Sequence, residues 1–191
     1  TSTLPNGMDL TLKNHYDNWR TKGLPPELQG QVKGKLIADQ EKITQIRQRS
    51  FGFKFDKDTW FGGALDEAVE FDDGTIVPLD NKTRGFPPKE THRMHLSQMS
   101  GYTLILKELG YKTKNLAYLV HWFFDHKNMD LKNPFRFNVA VEEVKTNPQE
   151  IKTKIKEAII TLAGPLTDPG QNSGITGSDP CPFCQYQQTK I

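Results

Sequence analysis

Nine consecutive residues, 116–124, leave this chain little choice of architecture. Read alternately, Leu116, Tyr118, Val120, Trp122 and Phe124 form one row of side chains, and Leu119 and Phe123 lie in the other. A strand that is apolar on both faces must be covered on both faces. That places it in the interior of a sheet with layers packed on each side.

The flanking pattern is consistent with this. Residues 6 to about 20 read as a helix, with Leu10, Leu12 and Tyr16 near helical spacing; Gly23, Pro25 and Pro26 break it. Residues 35–47 read as a second amphipathic helix carrying Leu36, Ile37, Ile43 and Ile46. Residues 51–55 alternate and predict a strand. Residues 61–71 read as extended, with Leu65, Val69 and Phe71 on one face and Asp66 on the other. Asp72, Asp73 and Gly74 signal a hairpin turn. The returning strand, 75–82, then puts Val77 and Leu79 on one face and Asp80 and Lys82 on the other. Pro78 interrupts that strand, which predicts a lost ladder bond or a bulge.

A loop with Gly85, Pro87 and Pro88 leads into a helix over 91–109, ended by Gly110. Residues 135–144 predict another strand. Residues 148–163 predict a helix capped by Asn147. The order predicts an α/β fold with a central mixed β-sheet flanked by helices. The length of 191 residues suits one domain, 1–163 with its core over about 35–163, followed by a loosely structured tail over 164–191.

Composition excludes several classes. No run of about 18 apolar residues is present, so no membrane-spanning segment is expected. No basic segment leads into an apolar stretch, so no secretory signal is expected, and a cytoplasmic, intracellular setting is. The first residue is Thr1 rather than Met, which leaves room for residues upstream. Eleven Phe, five Tyr and three Trp are too many aromatics for a disordered chain. Two cysteines, Cys181 and Cys184, are too few for a disulfide framework.

The formal net charge of +2 hides local imbalance. Lys82, Arg84, Lys89 and Arg93 face one acid, Glu90; Arg47, Arg49, Lys54 and Lys57 surround Asp56. The acids gather at Asp66, Glu67, Glu70, Asp72 and Asp73. This reads as a basic surface beside an acidic pocket, or as a set of solvated polar faces.

The hairpin carries the candidate chemistry. Its turn is expected to bring Asp66 near Asp80. Two adjacent carboxylates repel, so one is protonated or a cation binds. Mg²⁺ suits one or two carboxylates with water and a phosphate. A lysine beside that ion orients a water or neutralises charge that develops on phosphorus. The ordinary alternative is a solvent-facing Asp–Lys pair on an edge strand. Gly62, Gly63 and Ala64 before Asp66 permit close approach, and Gln98 and Tyr102 lie one turn apart on the following helix, with His95 a turn earlier.

Together these elements resemble the PD-(D/E)XK nuclease superfamily. They are Gly63-Ala-Leu-Asp66, Asp73-Gly, Pro78-Leu-Asp80-Asn-Lys82-Thr-Arg-Gly and Gln98-Met-Ser-Gly-Tyr102. More narrowly they resemble the RecB-type nuclease domains, related to the CRISPR adaptation and AddAB-type nucleases, with their Gln-x-x-x-Tyr signature. The resemblance spans residues 51–124. It implies a restriction-endonuclease-like core and Mg²⁺- or Mn²⁺-dependent hydrolysis of DNA, single strands or ends, exonuclease-like, in repair, recombination or mobile-element defence. Asp66, Asp80 and Lys82 would be catalytic. Asp66, Asp80 and the Asn81 carbonyl would hold the metal. Gln98, Tyr102, Arg84 and Thr83 would contact substrate or support the site. Trp60, Phe61 and Phe86 suit stacking on bases or packing.

Two departures stand out. Asp80 replaces the commoner Glu, and the helical ligand of the relatives has only Asp39 and Glu41 as candidates. Some relatives hold a 4Fe–4S cluster on four cysteines. Cys181-Pro-Phe-Cys184 reads as a remnant or part of such a site, and two thiolates do not complete an Fe–S or Zn centre. A catalytically inactive nucleic-acid-binding module on the same fold is the alternative function. No partner protein is identifiable.

Overall fold

A computed structural model of the chain describes residues 4–128, 132 and 136–164. The elements are α1 (Leu4–Trp19), a 3-10 turn (Pro26–Leu28), β1 (Lys35–Leu36), α2 (Gln40–Ile46), β2 (Gly52–Lys54), β3 (Trp60–Gly62), β4 (Glu67–Glu70), β5 (Ile76–Arg84), α3 (Arg93–Glu108), β6 (Leu116–Phe124), β7 (Phe137–Lys145) and α4 (Pro148–Ala163). The main sheet has the order β1-β4-β5-β6-β7, and β2 and β3 form a separate two-stranded ribbon. β5 and β6 run parallel, joined through α3; all other neighbours are antiparallel. The sheet is mixed and α/β, as the sequence predicts. The first of two units, Thr1–Lys152, holds the whole sheet.

β6 is flanked on both sides, by β5 and β7, and both of its faces are covered. On one face Tyr118, Val120 and Trp122 pack with Val77 and Leu79 of β5 and with Leu12 and Tyr16 of α1. On the other, Ala117 and Leu119 pack with Met99 of α3 and with Val144. The same face of β4 and β5 contributes Ala68 and Ile76, packed against Ile43 and Ile46 of α2 and Ile105 and Leu106 of α3. α1 therefore covers one face, and α2 and α3 the other.

Three local readings change. The second helix begins at Gln40 rather than residue 35, because Lys35 and Leu36 pair with Glu70 and Val69 as an edge strand. Asp39 then caps the helix, accepting from the Glu41 and Lys42 N–H groups at 2.9 and 3.0 Å. The single extended segment 61–71 is two strands in two sheets, since β3 pairs with β2 and β4 with β5. Pro78 marks no bulge: the register runs unbroken through Ala68↔Pro78. The Ile76 N–H points away from β4, to the Lys112 carbonyl at 2.8 Å. Pro78, two residues on, aims its nitrogen the same way, and the β6 ladder starts only at Leu79. Pro78 therefore takes no bond from the β4 ladder; its missing donor faces β6, where pairing begins one residue later.

The turn is as read. Gly74 takes φ +77°. Its N–H donates to the Phe71 carbonyl, and the Phe71 N–H to that of Thr75, both at 2.8 Å. Asn147 caps α4, accepting from the Glu150 N–H at 3.2 Å. No helix among the described residues is long and apolar enough to cross a membrane. Cys181 and Cys184, and the tail from residue 165, lie outside the described residues.

Candidate active site

Alternation along β5 sends Val77, Leu79 and Asn81 towards α1 and sends Asp80 and Lys82 towards α3. Asp80 is only 2 % exposed. The Lys82 ammonium lies 2.6 Å from Asp80 Oδ2 and donates to Gln98 Oε1 at 2.8 Å. The Gln98 amide donates in turn to the Tyr102 hydroxyl at 2.8 Å, and that hydroxyl donates to the Ala64 carbonyl at 2.8 Å. A relay thus runs from the lysine through one turn of α3 to the loop just before Asp66. The small residues of that loop serve the relay: a Cβ on Gly63 would stand 3.2 Å from the Tyr102 ring.

Asp66 enters from the start of β4. Its Oδ2 faces the Asn81 N–H at 3.4 Å, and its Oδ1 is 3.8 Å from Lys13 Nζ on α1. Lys13 is itself held by Asp9 at 2.8 Å. Burial raises the Asp66 carboxyl above its ordinary range; Lys13 opposes and Asp9 reinforces that shift. Burial first, and the Asp66 charge second, push Asp80 up to about 6, with Lys82 opposing. Burial, and then the charge of Asp80, push Tyr102 up to about 12, so it remains a phenol that donates.

Asp80 Oδ2 is buried, and the Lys82 ammonium at 2.6 Å is its close partner. A buried carboxylate that feels the charge of a second one fits a hard cation with all-oxygen ligands. Among the described residues, no three His, Cys, Asp or Glu side chains converge on one point. An ion here would have two carboxylates and would need backbone oxygen and water to complete its shell, as Mg²⁺ does.

The remaining candidates separate. Arg84 shares the face of Lys82. Thr83 does not: alternation turns it to the opposite face, where it is exposed. The Asn81 side chain points to α1, where Tyr16 and Trp122 donate to its Oδ1 at 2.7 and 3.0 Å. Asp39 is used as a helix cap and Glu41 stays exposed beside it. Phe61 packs against the core beside Phe53, while Trp60 and Phe86 are exposed.

The charge clusters also resolve differently from the sequence reading. Arg47 is not on a basic surface, and Glu67 is not in an open acidic pocket. Glu67 is 0 % exposed. Its Oε2 accepts from Arg20 at 2.8 Å and Arg47 at 3.1 Å. Asp17 joins both arginines, and Arg47 Nε donates to the Asp66 carbonyl at 3.1 Å. This network fastens α1 and α2 to the start of β4 and positions Asp66. Asp72 and Asp73 belong to the hairpin turn.

The sequence reading missed Asp9, Lys13, Asp17 and Arg20. The signal was present: acid, base, acid and base recur at spacings of four, four and three on one helix. Compared with known proteins, the chain matches no family model, no curated relative and no solved structure.

Proposed function

We propose that this chain is a divalent-metal-dependent nuclease that hydrolyses DNA phosphodiester bonds. The observation that carries the reading is the buried Asp66–Asp80 pair with Lys82 held between Asp80 and Gln98. A Mg²⁺ or Mn²⁺ ion held by Asp66, Asp80 and the Asn81 carbonyl would supply positive charge to the phosphate and polarise a water.

The side chains account for the rest. Lys82 carries a cation at a fixed point on the α3 face. There it orients the attacking water and stabilises negative charge developing on the phosphoryl oxygens. Gln98 turns its carbonyl to Lys82 because its amide is committed to Tyr102, so the relay sets the direction of the ammonium. Arg84, on the same face, suits a bidentate phosphate contact. Water adds to phosphorus, one P–O ester bond breaks, and a phosphate monoester and an alcohol leave.

The test is turnover of end-labelled single- and double-stranded DNA in Mg²⁺ and in Mn²⁺, with Asp80→Ala and Lys82→Ala beside the wild type. Metal-dependent cleavage lost in both variants is expected. Salt-dependent binding with no turnover in any divalent metal would replace this reading with the inactive binding module.

A further inference from the structure

Beside Lys82, on the same face of the sheet, lies a hollow of about 260 Å³ that the proposed hydrolysis does not use. Lys89, Glu90, Thr91, His121 and Glu142 line it, with Pro88 and Ala140. His121 is 1 % exposed, yet neither ring nitrogen has a hydrogen-bond partner. Its Nε2 lies 3.5 Å from Glu142 Oε2, which is ion-pair reach without hydrogen-bond geometry. Two unpaired nitrogens in one buried ring are costly, and native structures keep such groups where something else binds. Burial above all keeps this imidazole neutral; Arg84 and Lys82 add to that and Glu142 opposes it. A neutral imidazole offers one N–H donor and one acceptor. Thr91 is engaged with Glu142 Oε1, which leaves Oε2 as a further acceptor.

We infer that this hollow takes the base of a nucleotide next to the scissile phosphate. Its volume is near the lower end of ligand pockets, roughly 300 Å³. Pro88 and Ala140, the β7 partner of His121, offer apolar surface to a flat ring. His121 and Glu142 set a donor beside acceptors, the complement of a base edge. On its Watson–Crick edge every base carries both a donor and an acceptor, so the pocket grips bases by that edge without selecting one. The register pairs His121 with Lys82, one strand spacing or about 4.8 Å away. Lys89 completes the hollow with a cation suited to the strand's phosphates. A phosphate alone fits poorly, because it would meet the Glu142 carboxylate. That the strand is DNA undergoing cleavage rests on the nuclease reading; the base contacts do not.

The test uses the full chain in EDTA, titrated separately with dAMP, dCMP, dGMP, dTMP and inorganic phosphate. Binding is read by calorimetry and by the His121 ring signals in NMR. The four nucleotides are expected to bind within about fivefold of one another and about tenfold tighter than phosphate, and to move the His121 signals. His121→Phe keeps a ring and removes both nitrogens. It should weaken all four nucleotides about tenfold while melting no lower than the wild type. Glu142→Gln, which keeps the size of the side chain, should weaken them about threefold or more. Nucleotides binding no tighter than phosphate, unmoved His121 signals, or wild-type affinity in His121→Phe would overturn the inference. Nucleotide binding in a protein that never cleaves DNA would sink the nuclease reading alone. Cleavage without nucleotide binding would sink this one alone.

Discussion

Two charge clusters meet at adjacent residues of one strand, Glu67 in one and Asp66 in the other, and they are balanced differently. In the first, Asp17 and Glu67 face Arg20 and Arg47, and all four carboxylate oxygens have partners. In the second, the three acids Asp9, Asp66 and Asp80 face the two bases Lys13 and Lys82. Proton affinity separates them too. Asp17 is held below its ordinary range by hydrogen bonds from Arg47 and Arg20, which outweigh its burial. Asp80 is driven above its ordinary range by burial and by Asp66. The first cluster is neutralised and fastens elements together; the second keeps an acid excess in a half-buried place, the arrangement the proposed cation would balance.

The largest expected effect belongs to the fastener. Arg20→Ala leaves Glu67 buried and half paired, and should cost about 3–5 kcal/mol in urea denaturation. A loss under 1 kcal/mol would break the contrast. Lys82→Ala should act in the opposite way. Cleavage should fall about 10²–10³-fold, while stability changes little, because its removal frees an acid already half protonated near pH 6. If Lys82→Ala lowered stability as much as Arg20→Ala, the two clusters would not differ in kind.

Next is pH, where the clusters should respond with opposite sign. The folded protein holds the Asp80 proton more tightly than the unfolded chain does. Stability of the metal-free protein therefore falls as pH rises from about 4 to about 6, by roughly 2–3 kcal/mol on this account. Asp80→Asn should flatten that interval, and saturating Mn²⁺ should restore stability at pH 7. Asp17 acts the other way: its contribution is present above the ordinary carboxylate range and is lost as pH falls through its lowered value. Urea midpoints from pH 3 to 7 on the wild type, Asp80→Asn and Asp17→Asn would show it. The smallest effect is Tyr102→Phe. It removes the Ala64 and Gln98 bonds and should lower cleavage about three- to tenfold with binding retained. An unchanged rate would show that the relay does not orient Lys82.

Much of the fold was legible because its signals are local. β6 and α4 lie where the apolar pattern put them, and Gly74 and Asn147 do what their residue types imply. The relay was half legible: the four-residue spacing placed Gln98 and Tyr102 together, but not Ala64 as its terminus. The misreadings have one cause. Lys35 and Leu36 carry an amphipathic pattern, and only pairing with β4 makes them a strand. Arg47 and Glu67 look like surface charge until α1 brings Arg20 to them.

What the sequence determined by itself is the alternation along β5, hence that Asp80 and Lys82 share a face, and the double-sided apolar run that makes β6 an interior strand. These follow from the two-residue repeat of a strand, which needs no partner to define it. Which charges neutralise one another was decided only by the tertiary structure. Coulomb energies depend on distance and burial, and both are set by residues tens of positions apart. The same folding that gave Glu67 two arginines left Asp80 with one lysine and the charge of Asp66 beside it.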